Sequence, residues 1–278
     1  MPELPEVEVS RLGLAPELTG RFMTGAITRT SRLRYPLPER LGQKLQGGRL
    51  AAIRRRGKYL LFDLDHLPNG KTASLILHLG MSGSLRIVSP DIAPQPHDHV
   101  DIVFGDKVLR LRDPRRFGAL LWHDDDAPLE NHPLLAVLGI EPLEAGFDGA
   151  WLHKHLHKRT GPIKPVLMDS HLVVGIGNIY AAESLFMSGI SPLRAANRIS
   201  ATRCDRLAES VRQTLSSAVA AGGSSVRDYV HSDGGAGCFQ LQCAVYEREG
   251  APCVKCGKPI RRIRQAGRST FYCPHCQK

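Results

Sequence analysis

The string Asp169-Ser170-His171-Leu172-Val173-Val174-Gly175-Ile176-Gly177-Asn178-Ile179-Tyr180-Ala181-Ala182-Glu183 sets the architecture of the second half of the chain. It reads as a helix, a turn carrying two glycines, and a second helix begun by Asn178. Glycines let the backbone approach a ligand closely, and the N–H groups at a helix start bind phosphate. A glycine pair alone is usually just a tight turn, so the weight falls on what flanks it. Upstream, Lys158 and Arg159 add two cations, which read alone are ordinary solvated charges. Downstream, residues 200–221 carry the clearest helical period, capped by Ser200 and stopped by Gly222-Gly223. Residues 223–237 are rich in Gly and Ser and read as a mobile loop.

Further on, Cys253-x2-Cys256 and Cys273-x2-Cys276 are separated by sixteen residues. Each C-x-x-C turn presents two thiolates to one ion, and two such turns complete a tetrahedral four-cysteine zinc site with no open position. One structural Zn2+ is therefore expected. Arg261, Arg262, Arg264 and Arg268 lie between the pairs, in a stretch with hairpin character. A metal-pinned basic hairpin suits phosphate contacts; its plainer reading is a solvated cationic face.

The first half has a different rhythm. From about residue 22 to 123, short apolar runs recur at 51–53, 59–62, 74–77, 84–88, 100–104, 108–111 and 118–122. Their lengths and spacing predict antiparallel strands in a sandwich or barrel, and Gly105-Asp106 marks a hairpin turn. Lys58, in Gly57-Lys58-Tyr59, sits at a strand edge, where a lysine usually blunts the edge. Met81 and Phe117, taken as apolar residues, belong in the core. His97, in Pro96-His97-Asp98-His99, reads as a loop histidine or as half of a weak metal pair with His99.

The chain begins Met1-Pro2-Glu3-Leu4-Pro5-Glu6. Residues 3–18 read as a helix with Val7, Leu14 and Leu18 inward, ended by Gly20, although Gly13 and Pro16 weaken its later turns. Pro5 suits a first turn, and Glu3 and Glu6 would share one face. On composition, this is a capped surface helix. It also holds chemistry. Removal of Met1 leaves Pro2 as a free secondary amine, and a free α-amino group titrates near ~8. Such an amine attacks carbonyl-like carbons, and its iminium has no N–H to lose and stays cationic.

Over 278 residues, 37 basic side chains oppose 27 acidic ones, a net charge of +10 with pI near 9.5. That length implies about two domains, and the charge favours a polyanionic partner, nucleic acid before anionic membrane. No apolar run reaches the ~20 residues of a spanning helix, and residues 1–8 carry acids where a secretory leader carries bases. Seven cysteines, four of them in C-x-x-C pairs, point to a reducing compartment and a metal site.

Taken together, Pro2-Glu3-Leu4-Pro5-Glu6-Val7-Glu8, the 169–183 string and the cysteine hairpin resemble the formamidopyrimidine-DNA glycosylases, enzymes that excise oxidised purines from DNA. His78-Leu79-Gly80-Met81-Ser82-Gly83 and Asp113-Pro114-Arg115-Arg116-Phe117-Gly118 resemble that family's two reading loops. The resemblance runs from Pro2 to Lys278 and implies an α+β fold: an N-terminal helix with an antiparallel β-sandwich (1–128), a linker (129–136), a helical domain with a helix–two-turns–helix and a lesion-covering loop (137–243), and a zinc finger (244–278). It implies Pro2, Glu3, Glu6, Lys58 and Arg268 as catalytic residues. His78, Met81, His97, Arg115, Phe117, Lys158, Arg159 and Asn178 would contact DNA, with Met81, Arg115 and Phe117 filling the hole left by a flipped base. The implied partner is double-stranded DNA with oxidised bases or abasic sites, bound by a monomer in the cytoplasm, associated with the nucleoid, without a membrane. Ser224-Ser225-Val226 and Glu247 depart from the family's usual Gly-Thr-Thr-like run and glycine. Two rivals remain: an endonuclease VIII-like glycosylase for oxidised pyrimidines, against which Leu4 and the Arg115-Arg116-Phe117 loop speak, and a zinc-finger DNA-binding protein without catalysis.

Overall fold

The computed structural model describes residues 1–223 and 243–278. The expected mobile loop, the lesion-covering loop and Ser224-Ser225-Val226 fall beyond Gly223 and lie outside the described residues. The chain forms two compact units, one of residues 1–136 with Gly222 and Gly223, the other of residues 137–221 and 243–278.

The first unit opens with α1 (Leu4–Leu18). Glu3 is its N-cap in extended backbone, and Pro5 lies in the first turn, where the missing N–H has no helical partner to lose. The helix continues through Gly13 and Pro16 because Val7, Leu14 and Leu18 are wholly buried. The apolar face overrides weak local propensity.

Eight strands follow: β1 (Gly25–Thr28), β2 (Arg49–Arg56), β3 (Tyr59–Asp65), β4 (Ala73–His78), β5 (Ser84–Val88), β6 (Asp98–Val103), β7 (Val108–Arg112) and β8 (Ala119–Asp124). They make two four-stranded antiparallel sheets, ordered β1-β6-β7-β5 and β2-β3-β4-β8. All seven apolar runs became strands. β1 and the short helix α2 (Leu41–Leu45) were not expected, since each is too short to show a period. The core joins Leu14 and Leu18 to Leu60, Phe62, Leu75 and Leu77 of one sheet and Val100, Leu109 and Leu111 of the other. A one-turn helix, α3 (Pro133–Ala136), ends the unit.

The second unit holds α4 (Gly149–Leu156), α5 (Ile163–Leu167), α6 (Asn178–Met187) and α7 (Ala201–Ala220), then a hairpin of β9 (Arg261–Gln265) and β10 (Arg268–Tyr272). The helix expected at Asp169 ends earlier, at Leu167. Asp169 begins the turns instead, where its carboxylate accepts the His171 N–H at 3.0 Å. Such local side-chain bonds favour turns over helix interiors. Gly175 has φ +82, the left-handed backbone that favours glycine, and Asn178 opens α6 behind the N-cap Gly177. Ser200 is the N-cap of α7, without a side-chain capping bond. Ala182 and Phe186 of α6 pack with Val245, Ile260 and Phe271, which seats the hairpin on the helix. No helix among the described residues is long and apolar enough to cross a membrane.

Candidate functional site

At the start of α1 the two carboxylates face inward, so this is no surface helix: Glu3 is 2% exposed and Glu6 wholly buried. They form a reciprocal capping box. The Glu3 side chain accepts the Glu6 N–H, and the Glu6 carboxylate accepts the Glu3 N–H at 2.8 Å. Glu6 also packs against the backbone of Gly223, where an added Cβ would lie 3.2 Å from its carboxylate oxygen. Pro2, immediately before, is buried. Two buried acids thus sit in the first turn of the helix that follows Pro2.

Lys58 lies on a hairpin turn that is tied to α1. Arg56 pairs with Tyr59, so Gly57-Lys58 is a two-residue hairpin turn, and Gly57 takes φ +57 as such turns require. Arg55 ties this turn to α1. Its guanidinium donates to Glu8 at 2.9 Å and to the Gly57 carbonyl at 3.1 Å. Burial works against ionisation of Glu8, but its bonds to Arg11 and Arg55 prevail and hold its pKa below the ordinary value.

Next to Lys58 in the sheet, His78 lies opposite Tyr59, with ring centroids 4.8 Å apart. Burial, with the nearby cations Lys58 and Arg34, lowers the His78 pKa to about 4. The neutral ring fits its one hydrogen bond, in which Nδ1 accepts the Gly80 N–H at 2.9 Å; the proton then sits on Nε2, leaving a donor. This group's folded pKa lies below its unfolded value of 6.5. Its contribution to stability is thus complete above 6.5 and is lost as pH falls toward 4. We expect a loss of about 2 kcal/mol over that window, after discounting for solvent screening of a partly exposed ring. His78→Asn, which can still accept from Gly80, should flatten this part of a stability–pH profile measured by denaturant unfolding. An unchanged slope would contradict the assignment.

The loops 78–83 and 113–118 are locked together by one buried acid. Asp113 is wholly buried and accepts from Ser82 Oγ at 2.8 Å and from the Gly118 N–H at 2.7 Å. Ser82 Oγ in turn accepts the Arg115 N–H at 3.2 Å. The backbones pack so closely that a Cβ on Gly80 would lie 2.4 Å from the Phe117 carbonyl carbon. With the interior of both loops taken up by backbone, their large side chains turn outward. Met81 is 36% and Phe117 46% exposed, against the core positions that their composition suggests. The Arg115 guanidinium lies over the Phe117 ring, 4.7 Å from its centroid. An apolar wedge and a guanidinium thus stand on a rigid platform. His97 is exposed on a left-handed backbone (φ +76), and its carbonyl accepts the Asp113 N–H at 3.0 Å. His99 is buried and bonded through Nε2 to the Asp113 carbonyl at 3.0 Å, so the two histidines meet only as rings 6.3 Å apart.

In the second unit the organising residue is one that motif reading passed over. Lys164 of α5 is 1% exposed. Its ammonium donates to Asn178 Oδ1 at 2.5 Å, Thr270 Oγ1 at 2.8 Å and the Ser269 carbonyl at 3.3 Å. Asn178 Nδ2 donates to the same Ser269 carbonyl at 3.0 Å. The start of α6 and the start of β10 are thereby held in one network. Arg268, first residue of β10, is exposed beside it, presented by a tight turn at Ala266-Gly267 with φ +46 and +77. Asn178, Arg268 and Ser269 line one depression of about 540 Å³. Lys158 is exposed. Arg159 is bound instead to Asp169 at 2.8 Å, bracing the turns. Glu183 is a second residue the motifs did not reveal. Its buried carboxylate accepts N–H groups from Ala244, Val245 and Tyr246 at 2.8–3.0 Å, anchoring the approach to the hairpin.

The sulfurs of Cys253, Cys256, Cys273 and Cys276 lie within 4.8 Å of one another. Cys253 to Cys276 is 3.9 Å and Cys256 to Cys273 is 3.6 Å. A tetrahedron of Zn–S bonds of about 2.3 Å needs sulfurs about 3.8 Å apart, so these residues fit that ion and leave it no open position.

Comparison with known proteins agrees with this geometry. Residues 1–120 match the formamidopyrimidine-DNA glycosylase N-terminal domain, 138–230 its H2TH domain, and 250–278 the zinc finger found in FPG and IleRS. The chain is 58% identical over 278 residues to a formamidopyrimidine-DNA glycosylase of Dechloromonas aromatica, covering all of both chains. Among solved structures it resembles the MutM (FPG) protein of Thermus thermophilus, with 38% identity, TM-score 0.85 and 99% and 98% of the two chains covered. It also resembles the Lactococcus lactis Fpg complexed with abasic-site DNA, with 34% identity, TM-score 0.89 and 99% of each chain covered. The fold is that of a DNA-repair glycosylase with an H2TH region and a zinc finger. The chain belongs to the formamidopyrimidine-DNA glycosylase family.

Proposed function

We propose that the protein is a bifunctional glycosylase and abasic-site lyase that removes oxidised purines, 8-oxoguanine and formamidopyrimidines, from double-stranded DNA. The observation that carries this is the buried carboxylate pair Glu3 and Glu6, capping α1 directly behind Pro2. Without Met1, the Pro2 nitrogen attacks C1′ of the damaged nucleoside. The C1′–base bond breaks, and Glu3 moves protons to the departing base and to O4′ as the sugar ring opens. Glu6 holds Glu3 in place through its backbone N–H. The iminium acidifies the C2′ hydrogens; loss of one proton, assisted by Lys58, expels the 3′ phosphate by β-elimination. A second elimination, assigned to Arg268, expels the 5′ phosphate and leaves a one-nucleotide gap with phosphates at both ends.

Met81, Arg115 and Phe117 fill the space of the extruded base, since flipping costs a few kcal/mol that stacking contacts can offset. His78, His97, Lys158, Asn178 and Arg268 contact phosphates, and Arg159 acts from behind the turns through Asp169. One Zn2+ held by Cys253, Cys256, Cys273 and Cys276 folds the hairpin that presents Arg268 and takes no part in bond breaking.

Duplexes carrying 8-oxoguanine opposite cytosine, or thymine glycol, test the purine assignment. Faster excision of 8-oxoguanine, with strand cleavage to phosphate-terminated products, is expected. Preference for thymine glycol would favour an endonuclease VIII-like enzyme, and binding without excision of either would leave a DNA-binding protein only.

A further inference from the structure

Asp113 is the meeting point of three segments of the first unit. Its N–H donates to the His97 carbonyl at 3.0 Å. Its own carbonyl accepts the Arg116 N–H at 3.2 Å and His99 Nε2 at 3.0 Å. Its carboxylate takes one donor from each loop, Ser82 Oγ at 2.8 Å and the Gly118 N–H at 2.7 Å. Ser82 Oγ also accepts the Arg115 N–H at 3.2 Å, so the serine touches both the acid and the opposite loop.

Two features set this hub apart from ordinary loop packing. The carboxylate is wholly buried, and among the described residues the donors that hold it are a hydroxyl and a backbone N–H, not a cation. Burying a charge costs stability unless it is well bonded, so stability alone is a poor reason for an acid here. What a carboxylate offers is two acceptor oxygens in fixed directions, and these register one loop against the other. The second feature is Arg116, between the outward-facing Arg115 and Phe117. It has φ +54, the left-handed backbone that strains a residue with a side chain. The bonds from Arg115, Arg116 and Gly118 to Ser82 and Asp113 span that strained turn. Strain of this kind persists only where the surroundings over-determine it.

We propose that Ser82 and Asp113 are positioning residues for base extrusion: their shared hydrogen bond keeps Met81 in register with Arg115 and Phe117, so that the two loops enter the duplex as a single wedge. This rests on the wedge reading of Met81, Arg115 and Phe117. Both buried side chains act through their neighbours. Without the bond each loop moves alone, and misplacing a working group by about 1 Å costs up to about a hundredfold. An abasic site has no base to extrude and makes less demand on this register.

The test uses the full chain with Ser82→Ala, which removes the bonds to Asp113 and Arg115 and leaves the one between Asp113 and Gly118. Extrusion is followed by the fluorescence of 2-aminopurine placed beside 8-oxoguanine in a duplex, excision by single turnover, and strand cleavage on a duplex with a preformed abasic site. Ser82→Ala is expected to slow extrusion and excision about tenfold, the scale of one lost bond to a charged group, and to leave abasic-site cleavage within about twofold. Asp113→Asn, which loses one acceptor oxygen, should show the same split between the two substrates. In a Met81→Ala/Phe117→Ala background, Ser82→Ala should cost nothing further. Extrusion at the parental rate, an equal loss on both substrates, or the full loss in the background that lacks the wedge overturns the proposal. Met81→Ala/Phe117→Ala alone separates this from failure of the underlying reading. If that variant extrudes at the parental rate, the wedge reading falls and this proposal with it; if it is slow and Ser82→Ala is not, only the positioning role falls.

Discussion

Glu3→Gln is expected to slow base release about a thousandfold in single-turnover excision of 8-oxoguanine, with binding to abasic-analogue DNA within a fewfold of the parent. The two halves of this expectation have different origins. Glu3 caps α1 by accepting the Glu6 N–H, and a glutamine amide oxygen can do the same, so helix and fold persist. The glutamine cannot deliver a proton to a leaving base or to O4′, and loss of a positioned acid–base group typically costs 10²–10⁴-fold, so about 10³ is the central value. A rate within tenfold of the parent would show that the proton comes from elsewhere.

The second large effect concerns the metal. Cys256→Ala, or prolonged treatment with a strong chelator, should weaken binding to abasic-analogue DNA by about a hundredfold or more. Structural zinc contributes on the order of 10–16 kcal/mol to the fold of small metal-pinned elements. The β9–β10 hairpin rests on Ala182 and Phe186 of α6 through a small apolar cluster with Val245, Ile260 and Phe271. Without the ion its strands separate, and with them the Ser269 and Thr270 atoms that Lys164 and Asn178 grip. Elemental analysis should give one zinc per chain, lost in parallel with binding. Full binding by zinc-free protein would exclude this role.

Much of the fold was legible because it is carried by local signals. Seven apolar runs became seven strands, and the two C-x-x-C turns brought four sulfurs together. What stayed hidden depends on distant partners. Lys164 looks like any helix lysine until Asn178, Ser269 and Thr270 close around it, the last two more than a hundred residues away. Glu183 stands within the 169–183 string, but its purpose is set by the N–H groups of residues 244–246. Met81 and Phe117 misled for the opposite reason. Hydrophobicity suggests burial, yet Gly80 and Gly118 let the two loops pack backbone to backbone, and the side chains are left outside. Asp113 supplies the lock, and nothing in its neighbours announces a wholly buried acid. The helix expected at Asp169 failed because a short carboxylate competes for backbone N–H groups that a helix would use.

The most direct measurement is borohydride reduction of the protein mixed with abasic-site DNA, followed by mass spectrometry of the cross-linked peptide. The account predicts one covalent adduct, on the nitrogen of Pro2 in chains that have lost Met1. An adduct on Lys58 or another lysine, or undiminished strand cleavage by protein whose N-terminus is blocked, would contradict it.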